Sequence, residues 1–90
     1  MKLIPITANM TELQVGNIND SYLTYDLRIL FSYQTPVAYS YLTSKGRQYF
    51  YTKEKYSKTT TKHINSWLPK AQAEEVEQYV IDDVVNGNGH

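Results

Sequence analysis

The chain has 90 residues, 41% of them hydrophobic and nine of them tyrosine, and its nine basic and nine acidic residues cancel at pH 7. This composition favours a folded domain, since disordered chains have few aromatic residues and a high net charge. The absence of cysteine excludes a disulfide, a thiolate metal site and a cysteine nucleophile, and two histidines are too few for a metal site made of histidine alone. We expect a single domain over residues 1–90 with no cofactor and no metal.

The N-terminal segment predicts neither export nor membrane insertion. Its apolar patch is short and is broken by Pro5, whereas a signal-peptide core or a membrane span needs a longer uninterrupted stretch. We therefore expect a cytoplasmic protein with no membrane partner.

The first part of the chain predicts little regular structure. Short strands are predicted near residue 3 and at 12–15. The segment 16–26 is rich in glycine, asparagine and aspartate, which favour turns because they tolerate left-handed backbone or bond to their own chain. This segment is predicted to be a loop.

The predicted sheet is centred on three segments that alternate apolar with other residues, 27–33, 37–42 and 48–52. A two-residue period is typical of antiparallel strands with one buried face. Turns are predicted at 34–36 and 43–46, because Pro36 cannot donate to a strand ladder and Gly46 tolerates unusual backbone angles. The expected sheet is a three- or four-stranded antiparallel meander within about residues 3–52.

Two helices are predicted after the sheet. The threonines at 59–61 can cap a helix over about 60–68, whose residues Ile64, Trp67 and Leu68 share one face. Pro69 ends that helix and suits the first position of the next. A C-terminal amphipathic helix is predicted over about 70–85, and its apolar face is expected to contain Ala73, Val76, Val80 and Val84. The fold class is therefore α+β, with both helices expected on one face of the sheet.

Basic and aromatic residues are interleaved through the middle of the chain. Residues 45–62 contain six basic residues and one acidic residue, a local net charge of +5. Lysines neutralise phosphates and exposed tyrosines stack on bases, so this segment predicts non-catalytic binding of DNA or RNA. The candidate residues are Lys45, Arg47, Tyr51, Lys53, Lys55, Tyr56, Lys58, Lys62 and His63. The alternative is that the tyrosines pack in the core while the lysines protect a sheet edge.

The tyrosines also predict a protein interface. Tyrosine is enriched at interfaces because it combines apolar area with a polar tip. If both helices cover one sheet face, the other face would display Tyr33, Tyr39 and Tyr41 to a host protein or to a second copy of the chain. An enzymatic role is not expected, because His63 has threonines nearby but no acid that would complete a catalytic trio.

Two sequence blocks resemble a known family. They are LFSYQTPVAY at 30–39 and TKHINSWL at 61–68, with YTKEKYSKTT at 51–60 before the second block. Over about residues 10–68 the chain resembles small uncharacterised phage- and plasmid-encoded proteins that form a family of unknown function. The resemblance implies a mobile-element origin, a location in the host cytoplasm and an accessory role. Such a role includes nucleic-acid binding or the inhibition of a host factor, in the manner of an anti-CRISPR protein.

Overall fold

The computed structural model is built around one mixed β-sheet. It describes residues 2–19, 22–43 and 45–86, and of 16–19 and 22–26 it describes the backbone. The strands are β1 (Lys2–Thr7), β2 (Met10–Asn19), β3 (Tyr22–Ser32), β4 (Thr35–Thr43), β5 (Gly46–Thr52) and β6 (Ala73–Val76). They lie side by side in chain order. Each adjacent pair from β1 to β5 is antiparallel, and β6 is parallel to β5.

Two helices complete the fold, α1 (Lys58–Trp67) and α2 (Gln78–Val85), with a 3₁₀ turn at Lys70–Gln72. The α+β class is confirmed. The predicted three- or four-stranded antiparallel meander is wrong, because the described chain forms six strands and the last pair is parallel. A parallel pair needs a crossover of a dozen or more residues, and the segment containing α1 supplies it. No helix within the described ranges is both long and apolar enough to span a membrane.

The predicted loop at 16–26 is also wrong over most of its length. β2 continues to Asn19 and β3 starts at Tyr22, while positions 20 and 21 of that prediction lie outside the described residues. The pairing register of the β2–β3 hairpin shifts between Val15 and Asn17. The residue between them is Gly16, and a glycine within a strand often marks such a bulge.

The predicted C-terminal helix is split. Ala73–Val76 forms β6, and α2 begins only at Gln78. The spacing of the four apolar residues also suits a short strand followed by a helix. In a strand, Ala73 and Val76 point to opposite sides, and each packs against the core on its own side. Pairing with β5 therefore overrides the helical propensity of Glu74 and Glu75.

Each helix covers a different face of the sheet, so the expectation that both lie on one face is wrong. On the face that we call the α1 face, Ile64 and Leu68 pack with Leu30 and Ala38, and Trp67 packs against them. This confirms the predicted apolar face of the first helix. On the opposite face, the α2 face, the buried residues are Ile29, Tyr39, Ile81 and Val84.

The β3–β4 hairpin has two local irregularities that aim side chains at α1. Tyr33, predicted in a strand, lies in the turn with φ of 59°, and its N–H donates to the carbonyl of Asn9. Leu30 pairs with Ala38 while Phe31 pairs with Pro36, so Val37 is an extra residue. Pro36 thus lies within β4 beside a bulge, where the missing N–H is tolerated. Both Val37 and Ala38 consequently reach the α1-face core.

Candidate functional site

The clearest basic feature is a groove where the chain leaves β5 and enters α1. Its lining residues are Lys55, Tyr56, Ser57, Lys58, Thr61 and Lys62, and its volume is about 440 Å³. Three of these residues carry positive charge and none carries negative charge. We call this surface the basic groove. It joins four of the nine residues predicted to bind nucleic acid.

The groove is shaped by the start of α1. Ser57, rather than a threonine at 59–61, is the N-cap residue, and its Oγ accepts a hydrogen bond from the backbone N–H of Thr60 at 3.1 Å. The hydroxyl of Thr61 donates to the Ser57 carbonyl. Capping fixes the chain direction, and Lys58 and Lys62, one turn apart, lie on the same side of the helix.

Tyr56 gives the groove an aromatic wall. Its side chain is 47% exposed, so one part of the ring is open to a planar partner. Partial burial, followed by the carboxylates of Glu54 and Asp82, raises the pKa of Tyr56 above its usual value. The basic groove therefore borders acidic residues, and the phenol stays neutral at physiological pH.

The other predicted nucleic-acid residues lie elsewhere or are already engaged. Lys53 forms an ion pair with Glu77 at 3.3 Å, and the Lys70 ammonium lies 5.2 Å from the centre of the Tyr51 ring. Lys45 is exposed at the far end of β5, in a turn whose Ser44 lies outside the described residues. Arg47 points into a separate cavity on the α1 face. The structure therefore does not bring all nine residues into one stripe.

His63 faces the sheet instead of the groove. Its Nδ1 lies 2.8 Å from Ser32 Oγ, and the same hydroxyl lies 2.9 Å from Thr60 Oγ1. The His63 ring also lies beside Tyr33, with the ring centroids 6.2 Å apart. Ser32 is only 2% exposed, so its hydroxyl is closed to a substrate. This polar cluster ties α1 to β3.

The three tyrosines predicted for a protein interface do not form one surface. Tyr33 is in the β3–β4 turn beside α1. Tyr39 and Tyr41 are on the α2 face, where both stack with Phe50 at centroid distances of 4.8 and 5.5 Å. Tyr39 is buried at 7% exposure, whereas Tyr41 is 39% exposed. Of this pair, Tyr41 is the residue that a partner could reach.

The chain matches a known family. A family described as a family of unknown function (DUF8033) matches residues 1–83, which is nearly the whole chain. The chain belongs to this family. Searches of curated proteins and of solved structures found no match. The match covers all six strands, α1 and most of α2, and it assigns none of them an activity.

Several polar residues of the α1 face were not predicted as site residues. The Trp67 indole N–H donates to Glu12 Oε1 at 2.8 Å, across 55 positions of sequence. Arg28 lines the cavity next to this contact, together with Arg47, which is one of the nine residues predicted to bind nucleic acid. Since these residues come from three strands and a helix, only the topology brings them together. Within the described residues, no cluster of three or more histidine, aspartate or glutamate side chains could hold a metal ion.

Proposed function

We propose that this protein is a non-catalytic accessory protein that binds nucleic acid through the basic groove. The observation that carries the proposal is the convergence of Lys55, Lys58 and Lys62 around the exposed ring of Tyr56. Ammonium groups neutralise phosphates without reading sequence, and an aromatic ring stacks on any base. The proposal includes the mobile-element origin implied by the two resembling sequence blocks.

The chemistry of the groove favours single-stranded nucleic acid. Stacking on Tyr56 requires an unpaired base, and a single strand can lay its backbone along three lysines. The helix start adds backbone N–H groups, which favour an anion. The burial of Ser32 supports a non-catalytic role, because the only hydroxyl bonded to the His63 ring among the described residues is closed to substrate.

A salt titration with labelled single- and double-stranded DNA and RNA tests the proposal. Three neutralised phosphates predict a slope of about −2 for log K against log salt on a single strand. The variant Lys55→Gln/Lys58→Gln/Lys62→Gln should bring this slope close to zero. Tyr56→Ala should weaken single-strand binding by about fivefold or more at an unchanged slope, and Tyr56→Phe should bind as the parent does.

The matched control removes the same charge elsewhere. Lys2→Gln/Lys45→Gln/Lys53→Gln lowers the net charge equally but leaves the basic groove intact. If this control loses as much binding as the groove variant, the attraction is nonspecific and the groove has no special role. No binding by the parent at about 50 mM salt would reject the proposal outright.

A second candidate function, protein binding, is favoured by the uncovered part of the α2 face. α2 has eight residues and is therefore about 12 Å long, whereas six strands span about 24 Å. Leu3 and Tyr41 on this face remain 65% and 39% exposed. We propose, as the alternative, that this area binds a host factor such as a defence protein, or a second copy of the chain. Sedimentation of the parent and of Tyr41→Ser tests the second case: a monomeric parent would exclude the homodimer.

A further inference from the structure

The α1 face contains a cavity that the proposed function does not use. It lies between the sheet and the C-terminal half of α1, and its volume is about 350 Å³. Met10 and Trp67 give it apolar walls, and Glu12, Arg28, Ser40 and Arg47 give it polar ones. This volume is at the small end of the range for ligand pockets, and a mostly apolar wall with a few convergent polar groups is typical of them.

Arg28 is the unusual residue in this cavity. Its Nε atom is buried and has no hydrogen-bond partner in the structure, and no ion pair joins its guanidinium to another described residue. Burying a charged donor without an acceptor is unfavourable. A carboxylate or phosphate satisfies a guanidinium well, because two of its oxygens match the planar fork of N–H groups.

The carboxylate in the cavity wall does not fill this role. Glu12 Oε1 accepts from Trp67 Nε1 at 2.8 Å, and Glu12 Oε2 accepts from Gln14 Nε2 at 2.6 Å. Gln14 is directly opposite Arg28 in the β2–β3 register, yet its amide is turned to Glu12. Glu12 therefore fixes the indole ring of Trp67 and leaves the Arg28 guanidinium to another acceptor.

The neighbouring strands add a second guanidinium group at the same place. Ser40 is paired with Arg28 across β3 and β4, so the two side chains are neighbours on the α1 face. Arg47 Nη1 donates to Ser40 Oγ at 2.8 Å. Ser40 is fully buried, so its hydroxyl holds Arg47 in place and does not itself reach an occupant. Two guanidinium groups therefore lie beside the ring of Trp67.

We propose that this cavity binds a small organic anion. Its carboxylate or phosphate accepts hydrogen bonds from Arg28, and its apolar body packs against Trp67 and Met10. The inference is independent of nucleic-acid binding, because the cavity and the basic groove share no lining residue.

The chain supplies its own reporter for a test. Trp67 is the only tryptophan, and it lines the cavity, so its fluorescence should respond to an occupant. The probes are benzoate, phenyl phosphate and the neutral analogue benzamide, each titrated at constant ionic strength. We expect a saturable change with at least one anion and none with benzamide. The tighter of the two anions identifies the preferred oxyanion.

Two variants connect that response to the proposed contacts. Arg28→Met should weaken anion binding by about tenfold or more, since a charge-assisted bidentate contact is lost. Lys45→Met removes an exposed charge and should bind as the parent does. Ser40→Ala removes the acceptor that holds Arg47 beside the cavity. It should weaken binding more mildly and serves as the test if Arg28→Met does not fold. An absent response up to about 10 mM anion, equal binding of benzamide, or undiminished binding by folded Arg28→Met and Ser40→Ala would each overturn the proposal.

Discussion

The two faces of the sheet are each packed against one helix but differ in chemistry. The α2 face is apolar and aromatic: Ile29 and Tyr39 meet Ile81 and Val84, and Phe50 stacks on Tyr39. The α1 face mixes apolar packing with buried polar contacts, such as the Ser32 cluster and the Glu12–Trp67 bond. The comparison indicates that apolar packing dominates the α2 face, whereas the α1 face combines an apolar core with polar groups that can bind.

The largest predicted effect is on the α2 face. Ile81 has 0% exposure, so Ile81→Ala should leave a cavity and lower the free energy of unfolding by about 2–5 kcal/mol. That is a large fraction of the total stability expected of a small domain. Urea denaturation followed by circular dichroism measures it.

Tyr79→Ala provides a control in the same helix. Tyr79 is 66% exposed, and its truncation should change the free energy of unfolding by less than about 0.5 kcal/mol. If the two variants were equally destabilised, the burial of Ile81 against the sheet would not explain its loss, because alanine favours the helix at both positions.

A smaller effect is predicted for the polar cluster of the α1 face. Ser32→Ala removes the hydroxyl shared by Thr60 and His63, and it should lower the free energy of unfolding by about 1–3 kcal/mol because buried polar groups lose their partner. Ser66 has an exposed hydroxyl on α1 that donates to the His63 carbonyl. Ser66→Ala should leave the free energy of unfolding almost unchanged. A loss in Ser32→Ala larger than that in Ile81→Ala would mean that this polar cluster stabilises the fold more than the buried Ile81 side chain does.

The same contrast explains which part of the fold the sequence predicts. Leu27, Ile29 and Phe31 alternate on the α2 face, and this two-residue period correctly predicts a strand with a buried side. The other side of β3 presents Arg28, Leu30 and Ser32, a mixed set that does not predict burial. It is buried nonetheless, because α1 crosses over it and supplies hydrogen-bond partners to Ser32. The period of apolar residues alone does not predict a second buried face that contains polar groups.

The separation of residues along the chain explains which site residues the sequence predicts and which it does not. The residues of the basic groove lie within 55–62, so a local excess of lysine predicts four of the six without knowledge of the topology. The cavity on the α1 face draws Glu12 from β2, Arg28 from β3, Ser40 from β4 and Trp67 from α1, and no spacing in the sequence connects them. β6 was missed for a related reason: its pairing with β5 is formed across the α1 crossover, and Glu74 and Glu75 favour a helix locally.

The smallest predicted effect concerns the ionisation of Tyr39 on the α2 face. Burial, followed by the nearby Tyr41 and Glu74, raises the pKa of Tyr39 above 10.0. The unfolded chain therefore releases this proton at a lower pH than the folded chain does. The stabilisation from this group is complete below about pH 10 and is lost as the pH rises through the higher pKa of the folded state.

Replacing this phenol should therefore flatten the alkaline end of the stability curve. In Tyr39→Phe, the free energy of unfolding should fall less steeply above about pH 10 than in the parent, because the ring still packs on Phe50 but no buried proton is lost. Part of the slope should remain, since burial also raises the pKa of Tyr56. Urea midpoints measured across the alkaline range provide the comparison, with Tyr79→Phe as the exposed control. Equal slopes in Tyr39→Phe and the parent would mean that the α2 face opens before Tyr39 ionises, and that the face is less tightly packed than its buried side chains indicate.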